Sequence, residues 1–210
     1  MSDSARRPAF VTMLGLQNSM NTKVHSDWMG QGYAWYRAAW IECGELMDHY
    51  GYKWWKKQQP DLAQVQLEVV DIWHFGMSAL FREGVDIDAL ADEILLELEG
   101  YEATDIGVLE ATEILAEYCL RTKGFSVALF WDLMTAAELS FEDLYKQYVG
   151  KNVLNFFRQD HGYKEGGYIK IWQGREDNEH LVEILAQADV MSTQFADDVY
   201  KGLASRYPKD

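Results

Sequence analysis

Positive charge is in short supply in this chain. Lys and Arg number 19 against 34 Asp and Glu, a formal net charge of −15 in 210 residues. Contact with nucleic-acid phosphates needs a basic face, so general nucleic-acid binding is excluded as a role. A small anion still fits if metal ions or a local basic cluster reverse the sign at one place. There are 2 cysteines, Cys43 and Cys119. Two cannot staple a secreted scaffold, and no C-x-x-C pair suggests zinc. The expectation for each is a buried, inert thiol. Only 3 prolines interrupt the chain. No apolar run approaches the roughly 20 residues of a membrane span, and none follows the two arginines near the start. These absences describe a soluble, cytoplasmic protein with no membrane partner.

Strand patterns are nearly missing as well, with YIKIW at 168–172 the one short candidate. Helical spacing takes their place, and a hydrophobic fraction of 48% supplies a core. Residues 8–23 read as a helix, with Phe10, Met13, Leu14 and Gln17 at helical spacing, followed by a loop over 25–32. A second helix covers 33–50 and breaks at Gly51. QQPD at 58–61 starts a long helix that runs to about Arg82, with Pro60 tolerated in its first turn. Further helices are expected near 87–99, over 105–122, from Ser126, from an N-cap at Ser140 through Phe157, and over roughly 178–204. The fold class is all-α, a helical bundle forming a single domain over 1–210. Its rigid core is expected at about 8–82 and 126–204, with a helical insertion at about 84–124.

Two acidic pairs stand out. Glu42 and Glu45 are three apart in IECGE, about 60° apart on one helix face at roughly 100° per residue. Glu68 and Asp71 repeat the spacing in LEVVDIW. Both pairs adjoin residues that should face the core, and an ionised carboxylate buried without a partner is very costly. Solvated positions are the ordinary reading of acids. The repeat on two successive helices favours a cluster of four carboxylates that holds a hard cation through oxygen. A carboxylate-bridged di-iron centre is the rival, but it needs paired acid-x-x-His motifs, and only Asp71 and His74 have that spacing. Oxygen ligation favours Mg²⁺ or Mn²⁺.

The segment 151–170 gathers Lys151, Arg158, Lys164 and Lys170 with Gly162, Gly166 and Gly167. It reads equally as a phosphate clamp or as a solvated helix and loop. Trp54 and Trp55 lie between lysines; one of them is expected to stack on a base and the other to enter the core. Gln17, Asn18 and Asn21 add amides able to read a base edge.

In order, QNSMN at 17–21, ECGE at 42–45, YKWWK at 52–56, EVVDIWHF at 68–75 and KNVLNFFRQDHGYKEGGYIKIWQGREDN at 151–178 resemble the dimeric, all-α dUTP diphosphatases. These are a branch of the helical pyrophosphohydrolases that include MazG-type enzymes. The resemblance runs from about residue 11 to 182. It implies Mg²⁺-dependent hydrolysis of dUTP, and of dUDP, to dUMP by water attack on the α-phosphorus. It also implies a homodimer, and a role in limiting uracil in DNA and supplying dUMP for thymidylate synthesis. The implied metal ligands are Glu42, Glu45, Glu68 and Asp71, with Glu45 the base for the water. Gln17 and Asn21 would recognise the base, Trp54 would stack on it, and His74 would lie near the deoxyribose. Lys151, Asn155, Arg158, Tyr163, Lys164 and Lys170 would contact sugar or phosphates. A preference for dCTP, or binding of nucleotide without turnover, is the alternative.

Overall fold

The computed structural model describes residues 3–190, 192 and 194–208, with side chains from residue 6 onward. The all-α class holds. The helices are α1 (Asp3–Val24), α2 (Trp35–Tyr50), α3 (Leu62–Leu80), α4 (Ile87–Leu98), α5 (Val108–Thr122), α6 (Val127–Ala136), α7 (Phe141–Asp160), α8 (Asp177–Gln187) and α9 (Phe195–Arg206). The short strands β1 (Ile171–Trp172), at the end of YIKIW, and β2 (Arg175–Glu176), just after it, pair antiparallel. Contacts group the chain into two units, residues 1–144 and 145–210, with the division inside α7.

In the first unit α3 is the central element. It buries Val65, Glu68, Val69, Val70, Ile72, Trp73, Gly76, Met77 and Ser78, positions that cover most of its circumference. A helix apolar nearly all round has to sit inside a bundle, and α3 packs on α1, α2 and α6. Residues 84–124 supply α4 and α5. Their faces Leu90, Ala91 and Ile94, and Ala111, Leu115 and Cys119, are buried; α4 lies on α1 and α6, and α5 on α2 and α6. Cys43 and Cys119 are buried free thiols.

Local chemistry explains the boundaries. Gly51 ends α2 with φ 94°, a left-handed conformation that favours glycine, and its amide bonds Met47 O. Asp61 caps α3 by accepting from Gln64 N, so Pro60 precedes the cap instead of lying in the first turn. Ser126 and Ser140 accept from the amides of Leu129 and Asp143, as their positions suggest. Helix α1 begins before residue 8 and contains Pro8. The expected final helix over 178–204 is two helices instead, because α8 stops at Ala188 and the chain re-enters helix only at Phe195.

The second unit is built on aromatic rings. Phe157 of α7 is fully buried and meets Tyr200, Tyr207 and Trp172 edge-on, at centroid distances of 5.2, 5.3 and 5.8 Å. Trp172 donates from its indole nitrogen to Ile169 O at 2.6 Å, and His180 Nε2 bonds Trp172 O at 2.9 Å. The Gly-rich stretch is thus fastened to a core of its own. Gly162 and Gly166, with φ 79° and 74°, turn the chain so that Gly167 N reaches Gly162 O.

Gly76 marks the tightest approach in the first unit. A Cβ there would lie 2.3 Å from Phe125 Cζ, and Phe125 and Phe130 in turn pack on Trp73. Gly76→Ala therefore destabilises the protein by about 1–3 kcal/mol through overpacking, despite the better helix propensity of alanine. Denaturant titration checks this, and an unchanged midpoint would contradict the packing described.

Candidate active site

Helices α2 and α3 set three carboxylates together. One oxygen from each of Glu42, Glu68 and Asp71 lies within 4.8 Å of the other two. Glu68 is only 8% exposed, Glu42 and Asp71 are half-buried, and Glu45 is exposed. The crowding is visible in proton affinity. Burial first, then the charges of Asp71, Glu45 and Glu68, push the Glu42 carboxyl up to about 7. Burial and Asp71 also raise Glu68. Pairing between the two carboxyls favours the protonated form of Glu42. His49 Nε2, a turn beyond Glu45 on α2, stands 3.6 Å from Glu68 Oε1. A hard cation with oxygen ligands at roughly 2.0–2.6 Å fits between acceptors spaced up to about 5 Å. It would neutralise the charges that otherwise force proton uptake, so these residues fit a divalent ion.

Beside the carboxylates, α1 and α3 share a neutral network. Gln17 and Asn21 are nearly buried. Gln17 Nε2 donates to Asn21 Oδ1 at 3.1 Å and to Ser78 Oγ at 3.0 Å, and Asn21 Nδ2 donates to Ser78 Oγ at 3.0 Å. Ser78 Oγ donates in turn to His74 O at 3.1 Å. His74 Nδ1 lies 3.1 Å from Gln17 Oε1; the amide oxygen can only accept, so Nδ1 carries a proton. Ser78 also lines a cavity of about 170 Å³ walled by Trp28, Trp35, Tyr36 and Phe81, with Lys123 at its edge. Trp28 is held there by donation to Asn18 Oδ1 at 3.1 Å.

In the second unit, Arg158 is engaged inside the protein. Its Nε and Nη2 donate to the two oxygens of Asp177 at 2.8 and 2.9 Å, and Nη1 reaches Asn155 Oδ1 at 3.4 Å. Asp177 is fully buried and also accepts from Tyr168 OH and Asn178 N. Burial by itself raises an acid, but the guanidinium and the phenol hold Asp177 below its usual range. Tyr163 packs its ring near the Arg158 guanidinium. Lys151 is half-buried on α7, Lys164 is exposed in the following turns, and Lys170 pairs with Glu176 at 3.1 Å.

The profile of the family described as dUTPase matches residues 9–163, more than half of the chain. The chain belongs to the dUTPase family. No curated protein matches it. As a dUTPase it hydrolyses dUTP, the chemistry of a dUTP diphosphatase, and dUTPases work with a divalent metal. Among the described residues, the acidic cluster of α2 and α3 is a group that could hold such an ion. No helix among them is long and apolar enough to cross a membrane.

Several expectations are sharpened by this geometry. Glu42, Glu68 and Asp71 come together, while Glu45 stays at the rim of the group. Trp54 is 91% exposed and free to stack, but Trp55 is 61% exposed and does not enter the core. Both indoles lie in the loop that follows the left-handed turn at Gly51. The loop holds them edge to edge, at a centroid distance of 5.5 Å. Sequence reasoning passed over Ser78, His49 and the cavity walls. Ser78 lies seven residues after Asp71 on the same helix, a spacing that was available as a signal. Trp28 and Trp35 flank a glycine-bearing loop and carry no pattern of their own.

Two outcomes follow for this dUTPase. A carboxyl whose pKa is raised on folding stabilises the protein at low pH, and that contribution disappears as pH rises through the folded value. For Glu42 the window runs from the ordinary carboxylate range to about 7, and its size is about 1–3 kcal/mol. In chelator the melting temperature accordingly falls between pH 5 and 7.5, and divalent cation raises it more at pH 7.5 than at pH 5; a pH-independent metal effect would contradict the crowding. Asp177→Ala strands a half-buried guanidinium and costs about 3–5 kcal/mol in denaturant unfolding. A loss below about 1 kcal/mol would mean that water readily replaces the carboxylate.

Proposed function

We propose that the chain is a Mg²⁺-dependent dUTP pyrophosphohydrolase that releases dUMP and pyrophosphate, accepts dUDP as well, and works as a cytoplasmic homodimer of the MazG-like class. The observation that carries the metal assignment is the trio Glu42, Glu68 and Asp71, oxygens within 4.8 Å on two helices, with Glu42 driven to retain a proton near neutrality. Glu45 completes the ligand set from the exposed side of α2. Bound Mg²⁺ supplies charge neutralisation for the phosphates and acidifies a water. Mn²⁺ is a competent substitute by the same ligand chemistry.

The chain's own residues do the rest. Glu45 takes the proton of the attacking water, whose oxygen bonds to the α-phosphorus as the bond to the bridging oxygen of the β-phosphate breaks and pyrophosphate leaves. Gln17 and Asn21 read the base edge, Trp54 stacks on it, and His74 lies by the sugar. Lys151, Asn155, Arg158, Tyr163, Lys164 and Lys170 bind sugar and phosphates. With two Arg158 bonds given to Asp177, Nη1, which also reaches Asn155 Oδ1, has its second N–H for a phosphate oxygen. A di-iron centre is disfavoured because His74 bonds the Gln17 amide and is not among the three ligands gathered at the acidic cluster.

The test is incubation of the purified protein with dUTP, dUDP, dCTP and dTTP, with Mg²⁺ and with chelator. dUMP and pyrophosphate from dUTP, abolished by chelation, are expected, together with dUMP from dUDP. Glu45→Gln lowers kcat by roughly 10²–10⁴ at saturating Mg²⁺; near-normal turnover there removes Glu45 as the base. Turnover of none of the four by the wild type would end the reading.

A further inference from the structure

We propose that Ser78 is a positioning residue that sets the preference for uracil over cytosine, by locking the amides of Gln17 and Asn21 in one orientation. The inference rests on the base-reading role proposed for those two amides. It comes from counting hydrogens at a hydroxyl that is 1% exposed. Ser78 Oγ has one proton, and that proton goes to His74 O at 3.1 Å. The oxygen can then only accept from the Gln17 and Asn21 nitrogens, each 3.0 Å away. Turning the Asn21 amide over would set Oδ1 against Ser78 Oγ and Nδ2 against Gln17 Nε2, acceptor facing acceptor and donor facing donor. Turning Gln17 over would set its oxygen against Asn21 Oδ1 and Ser78 Oγ, acceptor facing acceptor. Each flip buries unmatched polar atoms, a costly outcome in a water-poor site.

That lock has a consequence for recognition. Uracil presents an N–H donor at N3 beside a carbonyl at C4; cytosine presents an acceptor at N3 beside an amino donor. An amide offers one acceptor and one donor side by side, so one orientation complements uracil and the reverse complements cytosine. With Nδ2 tied to Ser78 by one hydrogen and Oδ1 accepting from Gln17 by one lone pair, Asn21 retains its second N–H for a carbonyl and the second lone pair of Oδ1 for an N–H. A free amide can invert and serve either base; a locked one cannot. Ser78 also borders the aromatic-walled cavity, so the lock sits against a space able to take a planar ring.

The experiment compares the full chain with Ser78→Ala and Asn21→Ala, measuring kcat/KM for dUTP and dCTP with Mg²⁺, and the imidazole ¹⁵N shifts of His74. Ser78→Ala is expected to lower the dUTP:dCTP ratio by roughly tenfold or more, with kcat/KM for dCTP rising or holding while that for dUTP falls. The His74 shifts should move from the Nδ1–H form toward a mixture. Ser78→Thr, which keeps the hydroxyl, restores the ratio. If Asn21→Ala lowers the ratio and Ser78→Ala does not, or if Ser78→Ala reduces both substrates by one factor, the positioning role is overturned and the base-reading role stands. If Asn21→Ala also leaves the ratio unchanged, the base-reading role falls, and the proposal with it.

Discussion

The interaction on which this structure turns is the burial of an acid on a helix that is itself buried round most of its circumference. Helix α3 is covered on nearly every side, yet it carries Glu68 at 8% exposure. Hydrophobic burial of Val65, Val69, Val70, Ile72, Trp73 and Met77 provides the driving force for α3 to be central. That same burial carries the carboxylate inward, where Glu42 and Asp71 add charge of the same sign. Without a cation the group relieves the repulsion by holding a proton at Glu42. The fold thus keeps a site in which negative charge exceeds what the protein itself neutralises, an excess that suits a cation. His49 only touches its rim.

The second unit handles the same problem in the opposite way. Asp177 is more deeply buried than Glu68, but two bonds from Arg158 and one from Tyr168 satisfy it within the protein. Its proton affinity falls while that of Glu68 rises. The contrast separates a structural acid from a candidate ligand acid by physics: one is closed by a fork of donors, the other left open among acceptors. It also limits Arg158. A guanidinium used on two sides is a rigid donor with one remaining edge, not a flexible clamp.

Most helices were legible because their signals are local. The left-handed Gly51, the caps at Ser126 and Ser140 and the central burial of α3 follow from residue type and spacing alone. The acidic pairs were legible for the same reason, since a spacing of three on a core-facing helix is written in the chain. What escaped depends on distant partners. Trp55 lies in the loop that follows Gly51. The division of the last helix at Ala188 carries no proline or glycine to announce it. Ser78 has no meaning until α1 brings Gln17 and Asn21 against it, sixty-one and fifty-seven residues away in the chain. The aromatic cavity likewise needs the 25–34 loop folded over the end of α3.

Helix α3 also orders the site along its length. Glu68, Asp71, His74 and Ser78 follow one another at spacings of three, three and four, which keeps them on one stripe. From Asp71 to Ser78 the helix rises about 10 Å, at roughly 1.5 Å per residue. The charged end of the stripe suits phosphate and cation; the neutral end suits a base edge. On the proposed assignment, a rigid helix would fix the separation between the place where a phosphorus is attacked and the place where a pyrimidine is read. Such a ruler ties specificity to rate, because a base held in the wrong register carries its α-phosphorus away from the acids. On this argument the orientation of two amides at one end of α3 bears directly on chemistry at the other.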